Sequence, residues 1–78
     1  MHDAQLLSRF AETRDEHAFR ELVDRYVGLV YAAARRQARD AHLAEDIVQA
    51  VFITLARKAA NVHPRASLAG WLDRKSVV

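Results

Sequence analysis

Apolar positions recur at helical intervals through most of the chain, and most regularly between Leu43 and Ala60, LAEDIVQAVFITLARKAA. At about 100° per residue, Ile47, Val48, Val51, Phe52, Leu55, Ala56 and Ala59 fall on one side, which predicts an amphipathic helix packed on a core. Asp46, Gln49, Ala50, Ile53 and Arg57 fall opposite, within about one third of the circumference. A solvated helix face normally carries long charged side chains and i, i+4 ion pairs. This one has a small residue and an Ile among an acid, an amide and an arginine, a suitable centre for a partner surface. Single exposed apolar residues are also ordinary, and spacing alone leaves both readings open.

The remaining pattern predicts three more helices. Asp3 can cap a short helix through Phe10 or Ala11, whose apolar members Leu6, Leu7 and Phe10 recur at three and four. Thr13-Arg14-Asp15-Glu16 has the form of a capping box, and with Glu12 it puts three acids near the positive end of a second helix. That helix should run to about Arg39, with Phe19, Leu22, Val23, Tyr26, Val27, Val30, Ala33 and Ala34 on one stripe. Gly28 inside it costs about 1 kcal/mol relative to Ala, which points to close helix packing there. Asp40 is available to cap the next helix. Asn61 in the left-handed conformation, followed by Pro64, should end that one. Ser67 then caps a helix opening SLAGWL, with Leu68, Trp71 and Leu72 returning to the core. The expected fold is all-α.

Length and composition narrow the picture. Seventy-eight residues allow one small domain with one core, so stability should be modest without a partner. The absence of Cys excludes disulfides and thiolate metal sites and fits a reducing compartment. With no apolar run of membrane length and no signal-peptide pattern, the sequence reads as cytoplasmic. The net charge of +2 is small, but it is unevenly spread: residues 1–34 carry four Arg against six acids, and residues 35–78 carry eight basic side chains against four acids. The second half is therefore the one suited to approach phosphate, although such an imbalance also fits a solvated surface.

Residues 44–56, AEDIVQAVFITLA, resemble region 2.2 of bacterial sigma factors of the sigma-70 type, particularly the small extracytoplasmic-function group. AFRELVDRY, with the following LVY and ARR, resembles region 2.1, and SLAGWL resembles the start of region 2.3. The resemblance covers roughly residues 3–72. It implies that the two long helices form an antiparallel pair and that Asp46, Gln49, Ala50, Ile53 and Arg57 meet the clamp helices of the RNA polymerase beta-prime subunit. Ala50 stands where the family often has Glu. Promoter DNA, as the single-stranded non-template strand, is the second implied partner, and an anti-sigma factor is a further partner class. In the family, the turns after region 2.3 begins carry aromatic, Arg and Asn side chains and a loop that captures an unstacked base. DRKSVV does not follow that pattern past Trp71-Leu72, apart from Arg74. The expected division is residues 1–72 as region 2, cut within region 2.3, and residues 73–78 as an unmatched tail.

Arg35, Arg36, Lys58, Arg65 and Trp71 are the candidate DNA contacts. All but Arg65 have a plainer reading: Arg35 and Arg36, like Arg57 and Lys58, complement the carbonyl end of a helix, and Trp71 between two Leu fits a core position better than a base-stacking one. No metal or cofactor is expected, because His2, His17, His42 and His63 form no His-x-x-x-His or Glu-x-x-His pair. No serine has a nucleophile-elbow context, and two glycines cannot build a phosphate loop, so catalysis is not expected. The rival function is a helical protein-interaction module that never touches DNA. A helix-turn-helix reader fits poorly, because no short recognition helix follows a tight turn.

Overall fold

A computed structural model describes residues 2–62 and 67–76. The chain forms α1 (Asp3–Thr13), α2 (Glu16–Gln37), α3 (Ala41–Lys58) and α4 (Leu68–Lys75), with a 3-10 turn, Ala59–Asn61, directly after α3. No strand occurs among the described residues, so the all-α expectation holds.

The helix boundaries follow from local hydrogen bonding, and several differ from the sequence expectation. His2, not Asp3, is the N-cap of α1, and its backbone N–H donates to Gln5 Oε1 at 3.1 Å. Thr13 does not cap α2. Its hydroxyl donates back to the Arg9 carbonyl at 2.8 Å and so belongs to the end of α1. Arg14 then turns through the left-handed region (φ 56°, ψ 38°), donating its N–H to the Phe10 carbonyl at 2.8 Å. Asp15 is the cap of α2, accepting from the backbone N–H groups of His17 at 3.0 Å and Ala18 at 3.3 Å. Those are orphan donors of a first helical turn, and an Asp acceptor there also suits the helix dipole.

α2 stops at Gln37, two residues short of the expected Arg39, because Ala38 is extended. Asp40 caps α3, accepting from the Leu43 N–H at 2.9 Å. The connection of residues 38–40 is so short that α3 must fold back along α2, giving the antiparallel pair. At the far end Asn61 does not close the helix in a left-handed conformation. Among the described non-glycine residues Arg14 alone has positive φ, and Asn61 ends the 3-10 turn before extended Val62 dips into the core. Pro64 lies outside the described residues. Ser67 caps α4, accepting from the Gly70 N–H at 3.0 Å.

One apolar cluster joins the elements: Leu6, Leu7 and Phe10 of α1, Leu22 and Val30 of α2, Phe52 and Leu55 of α3, and Leu68 and Leu72 of α4. α1 packs along the first half of α2, with the Phe10 and Phe19 ring centroids 4.5 Å apart. It is tied further along by Asp3, which accepts from the Tyr26 hydroxyl and pairs with Arg25 at 2.9 Å. The Arg14 guanidinium reaches across to the Ala56 carbonyl at 2.9 Å, joining the α1–α2 turn to the last turns of α3. α4 closes the other end of α2. Ser76 is fully buried, its hydroxyl donates to the Leu72 carbonyl at 2.7 Å, and its own carbonyl accepts from Gln37 Nε2.

Two further expectations about α2 fail. Val27, on the margin of the apolar stripe, is 40% exposed. Gly28 is exposed, and a Cβ placed on it would meet nothing within 4 Å, so close packing does not explain it. Tight approach occurs instead near the α2–α3 connection, where Ala33, Ala34 and Ala44 are buried with only a methyl group to fill the space.

Candidate functional site

The face of α3 turned away from the core contains Asp46, Gln49, Ala50, Ile53 and Arg57, all exposed. Its inner side is held by Ala44, Val51, Phe52 and Leu55, so the orientation of the helix, and hence of this face, is fixed by core packing. Ile53 is 53% exposed, the most of the large exposed apolar side chains among the described residues. Neither Asp46 nor Arg57 forms an ion pair with another described residue. The face therefore lacks the internal pairing that would satisfy a solvated helix surface.

Leu43 joins this face. It is 47% exposed and continues the stripe, so that Leu43, Asp46, Ala50, Ile53 and Arg57 recur at intervals of three and four. Such a stripe follows the helix axis for about four turns, the repeat by which one helix meets another at a shallow angle. Beside it lies a shallow groove of about 350 Å³, bounded on α3 by Leu43, Asp46, Ile47, Ala50, Val51 and Thr54 and on α4 by Lys75. The Thr54 hydroxyl donates to the Ala50 carbonyl at 2.8 Å, which leaves it no need of an outside partner. Leu43, Thr54 and Lys75 were not singled out from the sequence. The alternation of three and four could have disclosed Leu43, whereas Lys75 reaches α3 only through the docking of α4.

The candidate DNA contacts do not form one patch. Arg35 and Arg36 stand in the last turn of α2, and Lys58 ends α3. In an antiparallel pair these are opposite ends, separated by about 25 Å along the 18 residues of α3. Arg36 lies 3.7 Å from Asp73, a pair exposed on both sides and worth little. Arg74 and Lys75 of α4 come to the same end as Arg35 and Arg36, because Gln37 and Ser76 join the two helix termini. Trp71 packs partly buried against the core cluster, with the Lys75 ammonium 5.6 Å from its ring centroid. Arg65 lies outside the described residues.

Among the described residues, no group of three or more His, Asp or Glu gathers to hold a metal, and no helix is long and apolar enough to cross a membrane. A second shallow groove, lined by Phe10, Glu16, Phe19, Arg20 and Val23, lies at the α1–α2 packing.

No curated protein and no solved structure matches the chain. A family model described as sigma-70 region 2 matches residues 22–74, from the first buried Leu of α2 through nearly all of α4. The match takes in α2 from Leu22 onward, the connection, and all of α3 with its exposed face. The chain thus belongs to the sigma-70 region 2 family, domains of transcription initiation whose family role implies RNA polymerase core and promoter DNA as partners.

Proposed function

We propose that the chain docks on the clamp helices of the polymerase beta-prime subunit through Asp46, Gln49, Ala50, Ile53 and Arg57, and there takes part in promoter recognition and opening. The supporting observation is Ile53, an exposed aliphatic side chain beside Ala50 on a rigidly oriented helix face whose charges have no partner within the described chain. A face of this kind gains from burial against another helix. The sequence words of regions 2.1 and 2.2 support assignment to the extracytoplasmic-function group, and a sigma factor of that group acts in the cytoplasm. Arg35, Arg36, Lys58, Arg65 and Trp71 are the proposed DNA contacts, and an anti-sigma factor would be a competing ligand for the exposed helix faces.

The test is Ile53→Glu, which puts a charge at the centre of the face and leaves the core untouched. Binding to isolated clamp helices should fall by tenfold or more, about 1.4 kcal/mol, with helicity unchanged. Parental affinity in this variant would remove the assignment of the face. If the chain bound neither core polymerase nor single-stranded DNA, the rival reading as a protein-interaction module for some other partner would take its place.

A further inference from the structure

The groove beside the exposed stripe has a specific form. On a helix, residues i, i+3, i+4 and i+7 enclose a hole that accepts one side chain of a facing helix. Leu43, Asp46, Ile47 and Ala50 make one such set, and Ile47, Ala50, Val51 and Thr54 make the next, and all six line the groove. Ile47 and Ala50 are shared by both holes, and the small Ala50 side chain leaves them open. The lining is mainly apolar, and its two charged members, Asp46 and Lys75, have no ion-pair partner among the described residues. The Lys75 ammonium rests over the Trp71 ring. By helical arithmetic the two holes are rotated from the Gln49–Ile53 side of α3 toward α4.

We infer that the groove seats two successive apolar side chains, three or four residues apart on one α-helix of the partner, flanked by a carboxylate that meets Lys75 and a base that meets Asp46. The inference rests on the docking of α3 on polymerase proposed above and deepens it. The partner helix lies over the α3–α4 side of the face, so that α4 contributes a contact. A helix is the required occupant because the holes repeat along the α3 axis every four residues, about 6 Å, the advance of one turn on a facing helix. Apolar knobs fit because the Thr54 hydroxyl is already engaged within its own helix.

Three variants of the full chain, titrated against purified core RNA polymerase and against isolated beta-prime clamp helices, test this. Ala50→Trp fills both holes at an exposed position and should weaken binding by about tenfold or more, or 1.4 kcal/mol, with an unchanged circular dichroism spectrum and melt. Lys75→Glu should weaken it by about three- to tenfold, with the loss shrinking as salt rises, as expected for a charge at an interface. Ile53→Glu reports on the docking face independently of the groove. If Ile53→Glu loses binding while Ala50→Trp stays within about twofold of the parent, the face docks but the holes are empty, and the inference is overturned. If both bind as the parent does, the docking assignment falls and the inference with it. If Lys75→Glu binds as the parent does, α4 is no part of the interface and the charge pairing is wrong.

Discussion

The Tyr26 hydroxyl donates to the Asp3 carboxylate, and this bond pushes the tyrosine above its ordinary value of 10.0. Burial and the negative charge of Asp3 act in the same direction, and Arg25 opposes them. The folded chain therefore favours neutral Tyr26. Its contribution to stability is complete below about pH 10 and is lost as pH rises through the raised value. Tyr26→Phe should cost about 1.5 kcal/mol near neutral pH, the scale of a hydrogen bond to a charged acceptor. It should also flatten the alkaline decline, as read by urea melts between pH 8 and 11. Phe52 offers a harsher test. It is 7% exposed at the centre of the cluster, and Phe52→Ala should cost about 3–5 kcal/mol. A domain of this length has roughly 4–12 kcal/mol in total, so the variant should melt far below the parent or not fold. A melt near the parental midpoint would remove Phe52 from the core. Phe52 was legible in the sequence because its spacing placed it there. The Asp3 role was not, because a carboxylate at a helix start reads as a cap until the facing helix brings Tyr26 and Arg25 to it.

At the scale of elements, the sequence revealed each helix and the two faces of α3, since a period near 3.6 survives wherever one side packs on a core. It misjudged ends whose competing hydrogen bonds are local but conformation-dependent. Thr13 and Asp15 are both able to cap α2, and the choice fell to Asp15 because α1 runs on far enough to engage the Thr13 hydroxyl. Gly28 was misread for a different reason: a glycine in a helix signals close approach only if another element arrives, and none does. Gly28→Ala should therefore stabilise α2 by up to about 1 kcal/mol, raising the melting midpoint by about 4–8 °C. An unchanged or lowered midpoint would mean that the position is not open. The candidate site was half legible. The α3 residues share one helix and needed only its period, whereas Lys75 depends on how α4 docks, which no local pattern encodes.

For the molecule as a whole, cations at both ends of the α2–α3 pair can meet phosphate, and phosphate contacts position a protein without specifying sequence. Without polymerase, DNA binding by these 78 residues should then be weak and should fade together for a strand carrying a promoter minus-ten sequence and for its scrambled counterpart as salt rises. Fluorescence anisotropy would show this. A preference above about tenfold, or 1.4 kcal/mol, would indicate base readout and move Trp71 from core to contact.

The three-residue connection between α2 and α3 also bears on how the chain reaches this state. α1 packs on α2 and α2 on α3, so most of the bundle assembles between neighbours in sequence, with little loop closure to oppose it. The 3-10 turn after α3 returns to α1, and α4 returns past an intervening helix, to α2. Two turns are too few to persist without that support, so α4 should form last and open first. Native-state amide exchange would then show α4 deprotecting at lower free energy than the buried turns around Leu22 and Leu55.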